Sequence, residues 1–209
     1  MLVITGWGSK IAEELRELLD YPLGEDSDQE DDFFEDKIVR ATYDAMPLDA
    51  DRYFLCAGLL LPKTQEEMTS DDYAQTLYVN FTGPMGACED VLANNENARM
   101  CVMGSESGFT GSYNMPYASA KRALHKYVET KALGPKQQLV CVAPGIIDDA
   151  GMTTRRTDLD VLESRRTGHP KGRFVTSLEV ARLVRFLLYE DEGYITNTVI
   201  RMNGGENTR

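Results

Sequence analysis

Apolar positions along this chain fall into two spacings that take turns. Residues 2–6 open with a near-continuous apolar run, the pattern of a strand buried on both faces, after which Ile11, Ala12, Leu15, Leu18 and Leu19 fall on one side of a helix. Short apolar runs at residues 38–43, 52–57, 99–104, 138–143 and 198–202 predict further strands, with Asp44 at the end of the first of these. Helices are predicted over residues 71–94, with a local distortion at Gly83-Pro84, over residues 118–131, and from an N-capping Ser177 through Val184 and Leu188. Strands and helices in this alternation imply an α/β fold: one parallel, doubly wound sheet with right-handed crossovers. No internal repeat or linker divides residues 1–209, so a single domain is expected. One interval departs from the pattern. Cys56 follows Asp44 by only twelve positions, too few for a crossover helix, so one helix is expected to be missing or reduced to a loop.

Composition narrows the function classes. A formal net charge of −12, from 34 acidic and 22 basic residues, argues against a sequence-independent grip on nucleic acid or on anionic lipid. No stretch approaches the ~18 apolar residues that cross a bilayer. Met1 leads straight into a strand, without the pattern of a secretory signal, so a cytoplasmic location is expected. The cysteines Cys56, Cys88, Cys101 and Cys141 form no Cys-x-x-Cys pair and read as buried free thiols of a reducing compartment. Two histidines, His125 and His169, are too few for the usual zinc sites, and no metal is expected. Residues 25–36 are the densest charge, eight of twelve being acidic. A calcium loop starting at Asp26 would need glycine where Asp31 stands and glutamate where Lys37 stands, so a solvated acidic loop is expected instead.

The chemistry concentrates in residues 103–121, MGSESGFTGSYNMPYASAK. Tyr117 and Lys121 are four apart, so on a helix both project from one face. An ammonium beside a phenol favours the phenolate, which is expected to bring the Tyr117 pKa below its usual value of about 10 and make it a proton donor or acceptor near neutrality. Ser105 can hydrogen-bond the same substrate oxygen. Ser107 is a rival; Ser105 is preferred because it stands at a strand end, twelve residues before Tyr117. The turn Gly6-Trp7-Gly8-Ser9-Lys10-Ile11-Ala12 follows a strand and opens a helix, the context in which backbone N–H groups receive a pyrophosphate. A purely structural turn is the plainer reading of that segment taken alone.

Taken in order, several segments resemble the short-chain dehydrogenase/reductase family. MLVITG at 1–6 resembles its first strand and the start of its glycine turn, LCAG at 55–58 its Asn-Asn-Ala-Gly segment, and YVNFTG at 78–83 the helix bearing a mechanistic Asn. VMGS at 102–105 and the Tyr117–Lys121 pair are similar to its active-site strand and helix, VAPGII at 142–147 to its Pro-Gly segment, and residues 172–181, 194–196 and 203–205 to its carboxy-terminal signature. The resemblance implies a Rossmann-type sheet with an abbreviated adenine side, binding NAD or NADP. It also implies hydride transfer between the nicotinamide and a small carbonyl or alcohol substrate. In that setting Tyr117 would be the acid/base, Ser105 would orient the carbonyl, and Lys121 would assist the tyrosine and bind the nicotinamide ribose. Asn80 would hold a water in a proton relay. Thr5, Gly6, Gly8, Lys10, Ile11, Asp44, Ala57, Gly58, Pro144, Gly145 and Ile147 would contact the cofactor.

Departures from the family pattern qualify parts of this. Lys10 and Ala12 stand where the family has glycines. Asp26, twenty positions after Gly6, and the nearby Asp28 suit ribose hydroxyls and repel a 2′-phosphate, while Lys10 and Arg40 pull the other way, leaving a slight preference for NAD. Residues 148–176, with six basic side chains from Arg155 to Arg173, are expected to form a substrate lid. The resemblance implies a homodimer or homotetramer, to which Leu77, Phe81 and Met85 would offer one helical face. Two other classes remain. One is a catalytically silent protein of the same fold that senses or binds the cofactor. The other is a nucleotide-sugar epimerase or dehydratase, disfavoured because the chain ends four residues after Gly205.

Overall fold

Four consecutive buried residues, Leu2–Thr5, form strand β1, second from one edge of a six-stranded parallel sheet. The structure is a computed structural model that describes residues 1–20 and 37–206. In chain order the elements are β1, helix α1 (Lys10–Asp20), β2 (Ile38–Arg40), β3 (Arg52–Leu55), α2 (Ser70–Leu77), a π-helical turn (Tyr78–Thr82) and α3 (Gly83–Asn94). They continue with β4 (Arg99–Met103), α4 (Ser107–Thr110), α5 (Met115–Thr130), β5 (Gln138–Pro144), α6 (Gly151–Thr154) and α7 (Leu159–Gly168). Helix α8 (Ser177–Arg185), a second π turn (Phe186–Glu190) and β6 (Thr198–Met202) complete the sheet, whose order is β2-β1-β3-β4-β5-β6. Chain order reverses between β1 and β3, where a doubly wound sheet opens a crevice at its carboxyl edge.

Alternation along the strands sends successive side chains to opposite faces. Leu2, Ile4, Phe54, Val140 and Val142 pack beneath α1 and α8 with Leu15, Val180 and Val184. Val3, Tyr53, Leu55, Val102 and Leu139 pack on the other face with Val91 of α3 and Leu124 of α5. Leu15 is fully buried, and its truncation to Ala would cost about 2–5 kcal/mol. All four cysteines are buried and free, as expected of these apolar runs.

The crossover from β2 to β3 passes over β1 in residues 41–51 without a helix, as the short interval predicted. β2 is shorter than predicted. It ends at Arg40, so Asp44 lies not at a strand end but in a turn closed by the isolated Thr42–Ala45 bridge. The predicted helix over residues 71–94 is two helices joined by the π turn. Its distortion precedes Gly83-Pro84, since Pro84 offers no N–H and the Gly83 N–H reaches back to the Tyr78 carbonyl. Helix α5 begins three residues earlier than predicted, because Asn114 caps it ahead of Pro116 and accepts the Tyr117 N–H at 3.0 Å. Thr176, rather than Ser177, caps α8: its hydroxyl accepts from the Glu179 N–H and the Glu179 carboxylate accepts from the Thr176 N–H. Ser177 is instead the first helical residue and donates its N–H to Asp149. The second π turn leaves carbonyls for the strand arginines, with Arg99 donating to Leu187 and Arg52 to Leu188, both at 2.9 Å.

Candidate active site

A cleft of about 1340 Å³ opens at the carboxyl ends of β1, β3, β4 and β5. Its inner wall carries Ser105, Tyr117 and Lys121 together, delivered by two buried elements. β4 ends at Met103, and the chain continues through Gly104 to Ser105 with the β5 ladder extended: Gly104 donates to Val142 and Glu106 to Pro144. α5 brings Tyr117 and Lys121, one turn apart, against that segment. The Ser105 side chain is the polar neighbour that favours ionisation of the Tyr117 hydroxyl. Ser107, the rival, is the first residue of α4, and its N–H donates to the Ser105 hydroxyl at 3.2 Å. The structure therefore assigns the two serines different positions, with Ser105 next to the tyrosine.

The electrostatics differ from the expectation. Tyr117 has its pKa raised, because burial penalises the phenolate more than Ser105 favours it. Lys121 does not lower it in this arrangement. Its ammonium donates to the Met103 carbonyl at 2.6 Å and lies 5.9 Å from the centre of the tyrosine ring. Burial pushes Lys121 itself down to about 8. The Tyr117 hydroxyl is thus governed by its dry surroundings first and by Ser105 second.

Asn80 is fully buried within the π turn, which packs against α5. Its amide donates to the carbonyls of Leu59 at 2.7 Å and Thr76 at 2.9 Å and accepts the Leu59 N–H at 3.1 Å. The side chain is a clamp on the segment after β3, with both amide hydrogens engaged.

The turn after β1 is tight at Gly6 and leaves open space toward the cleft at Gly8. Gly6 has φ +65°, and a Cβ there would come within 2.6 Å of the Ala57 nitrogen. Gly8 has open space around its Cβ position and no left-handed φ. Thr5 is buried and accepts the Ala57 N–H at 3.3 Å, joining the β1 and β3 ends. Ser9 caps α1 by accepting the Ala12 N–H, and its hydroxyl lies 3.1 Å from the Cys56 sulfur. Lys10 and Ile11 line the cleft, and no described group accepts from their N–H. Lys10 holds its charge along its own helix, 3.2 Å from Glu13 and 3.1 Å from Glu14.

The remaining expected residues line the same cleft: Asp44, Ala57, Gly58, Pro144, Gly145 and Ile147. Asp44 accepts from the Tyr78 hydroxyl at 2.7 Å. Gly145 is tied to β6 through its N–H to the Met202 carbonyl, and Ile147 bridges to Val175. Asp26 and the 25–36 segment lie outside the described residues. Of the 148–176 segment, α6 and α7 line the outer cleft through Met152, Val161, Arg155 and Arg165. Arg156 is paired with Asp158, and Arg166 with Asp148.

Three participants escaped sequence reasoning. Tyr43 reaches from the helixless crossover to donate to the Ala57 carbonyl at 3.2 Å, in space left by Gly83. Asn114 fixes the start of α5, and an Asn two residues before a proline was a usable signal for it. Glu106, 5% exposed, forms an ion pair with Arg201 of β6 and accepts from Asn203 at 3.3 Å, anchoring the segment next to Ser105. No spacing rule connects residues so far apart in the chain.

Among the described residues no cluster of His, Cys, Asp or Glu could hold a metal ion, and no helix is long and apolar enough to cross a membrane.

Residues 11–207 match a sequence family described as enoyl-(acyl carrier protein) reductase. A 3-oxoacyl-(acyl-carrier-protein) reductase from Aquifex aeolicus is 33% identical over 156 residues, 71% of this chain and 62% of that protein. An acetoacetyl-CoA reductase from Allochromatium vinosum is 27% identical over 157 residues, 72% of this chain and 63% of that protein. The chain thus spans less than two thirds of the length of these relatives. A short-chain dehydrogenase/reductase structure from Brucella melitensis superposes with a TM-score of 0.78 at 22% identity, covering 100% of this chain and 96% of that one, which establishes the likeness of fold.

Proposed function

From membership in the short-chain dehydrogenase/reductase family, to which this chain belongs, we propose that it is an NAD(P)-dependent oxidoreductase acting on a carbonyl/alcohol pair. The observation that carries this reading is the convergence of Ser105, Tyr117 and Lys121 at the floor of one cleft. The tight turn at Gly6, the open space at Gly8 and the open N–H groups of Lys10 and Ile11 fit a dinucleotide. When bound, a nicotinamide would supply or accept the hydride. In the reducing direction Tyr117 gives its proton to the carbonyl oxygen, and its raised pKa keeps that proton in place until charge develops there. Ser105 donates to the same oxygen and aligns it. The Lys121 ammonium, held at the Met103 carbonyl, supplies positive charge close to the site and is available to the nicotinamide ribose. Asn80 keeps the π turn in register beside α5, and with both amide hydrogens committed to Leu59 and Thr76 its side chain acts as a clamp rather than as the holder of a relay water.

The substrate class we propose is a 3-oxoacyl thioester, as in the names of the relatives. Leu60, Met152 and Val161 offer apolar lining for an acyl chain, with Arg155 and Arg165 toward the outside for an anionic carrier. The slight preference for NAD rested on Asp26 and Asp28, outside the described residues. Within the cleft, Arg40 is the basic side chain at the end of β2. Homo-oligomerisation is part of the proposal, through a face that includes Leu77, 41% exposed; a sedimentation mass of one chain would remove it. The central test is nicotinamide absorbance with acetoacetyl-CoA and simple ketones, using NADH and NADPH separately, on the wild type and Tyr117→Phe. Cofactor binding without turnover across that panel would instead identify a cofactor-sensing protein.

A further inference from the structure

His125 stands one helical turn beyond Lys121 on α5 and is 4% exposed. Its Nε2 lies 3.3 Å from the main-chain nitrogen of Ser105 and accepts that N–H. The neighbouring N–H groups are used by the sheet: Gly104 donates to Val142 at 2.7 Å and Glu106 to Pro144 at 2.8 Å. Successive N–H groups of a strand point to opposite sides, and on the other side β3 has already ended at the Leu55–Val102 pair. Ser105 therefore has no strand to bond, and the imidazole supplies the acceptor. The ring is closely fitted. A Cβ on Gly104 would come within 2.6 Å of Nε2, a Cβ on Gly108 within 2.5 Å of Cε1, and the Phe109 ring lies 4.7 Å away. Both glycines flanking the serine thus leave room for this one side chain.

The far edge of the ring tells what it is for. With Nε2 accepting, the proton sits on Nδ1, and Nδ1 is buried without a hydrogen-bond partner among the described residues. A buried N–H without a partner destabilises a fold, and a leucine of similar volume would remove that one while leaving the Ser105 N–H without an acceptor, so packing alone gives no preference for histidine. What leucine lacks is the acceptor at Ser105.

We propose that His125 is a positioning residue for Ser105, its neutral imidazole fixing the serine main chain so that the hydroxyl meets Tyr117 and the substrate oxygen. This rests on the oxidoreductase reading above. Burial, followed by the positive charge of Lys121, pushes the ring down to about 4. Arg122 and Arg201 act in the same direction and Glu106 against it, so the accepting form holds throughout the neutral range.

The test compares wild type, His125→Leu and His125→Gln with acetoacetyl-CoA and the ketone panel, measuring kcat, KM, cofactor affinity and melting temperature. His125→Leu is expected to melt no lower than wild type, to keep KM and cofactor affinity, and to lose roughly 10- to 100-fold in kcat through misplacement of the serine. His125→Gln, whose carbonyl oxygen can accept the Ser105 N–H, is expected to recover most of that loss. Wild-type kcat in His125→Leu, or equal losses in both variants, overturns the inference. Should the variants fail to fold, long-range ¹H–¹⁵N spectra of the wild-type imidazole decide: a proton on Nδ1 supports it and a proton on Nε2 overturns it. A wild type inactive across the whole panel breaks the oxidoreductase reading and this inference with it. An active wild type beside an equally active His125→Leu breaks this inference alone.

Discussion

On the β4–β5 side of the cleft each proposed catalytic group is fastened to buried main chain, whereas the β1–β2 side is a three-residue strand and a crossover without a helix. Ser105 is held by ladder bonds on both neighbours and by His125; Tyr117 and Lys121 come from one capped, buried helix. β2 is only half buried, and Lys10 occupies a turn position with its charge committed to Glu13 and Glu14. On the proposed reading the difference follows from what each side would do. Proton transfer needs groups placed to within a fraction of an ångström, which redundant supports would provide. Nucleotide binding would sum many contacts, and it would tolerate a missing helix while the turn at Gly6 and the space at Gly8 are kept.

The largest expected effect lies on the fastened side. Tyr117→Phe should lower kcat by roughly 10²–10⁴-fold, with cofactor affinity within about twofold by fluorescence titration, because the ring remains and only the hydroxyl leaves. A variant retaining wild-type turnover would show that the buried triad is scaffolding.

Gly6→Ala should carry that stringency across to the other side. The left-handed φ and the 2.6 Å approach to Ala57 predict a loss of about 1–3 kcal/mol in urea unfolding and a raised cofactor KM. Gly8→Ala should leave stability unchanged, since its Cβ meets no protein atom, while raising the cofactor KM by narrowing the cleft. Equal behaviour of the two variants would erase the distinction between the glycines.

Lys121 gives the comparison a pH axis. Its folded pKa, about 8, lies below the ordinary 10.5, so between those values the unfolded chain holds more protons and stability rises with pH. The burden is complete below pH 8 and gone above 10.5. Lys121→Met should therefore stabilise the fold relative to wild type by on the order of 1–3 kcal/mol at pH 7 and by less at pH 10, while reducing turnover. Denaturant midpoints at the two pH values check it.

Smallest of all should be Lys10→Ala. Its solvent-screened pairs with Glu13 and Glu14 predict no measurable change in stability and an NADPH affinity within about twofold, measured by thermal shift. A tenfold loss would place the ammonium on the nucleotide after all.

Much of this arrangement could be read from local spacing. Residues 198–202 were bounded as observed, and a strand end, a twelve-residue interval and an i, i+4 pair sufficed to bring Ser105, Tyr117 and Lys121 together. What escaped depended on contacts distant in sequence. A histidine on an apolar helix face gives no sign that its ring faces Ser105. The Tyr117 pKa was expected to fall because Lys121 is near in sequence, yet the Met103 carbonyl claims that ammonium. Tyr43 became visible only once the crossover was seen to lie over Gly83. Thr176 and Ser177 are both good caps, and Glu179 chose between them through its reciprocal bond.

The π turn at Tyr78–Thr82 constrains chain length itself. It holds one residue more than an α-helical turn, closed by the Gly83 N–H on the Tyr78 carbonyl, and within it the Asn80 amide reaches the Thr76 carbonyl. Deleting any one residue of this turn would let the helix close into ordinary α geometry, rotating what precedes it by about 100° relative to α3. Asn80 would then lose the Leu59 backbone even with every side chain near the cleft unchanged. At this point the molecule counts residues rather than reading them, and an indel here is more damaging than a substitution.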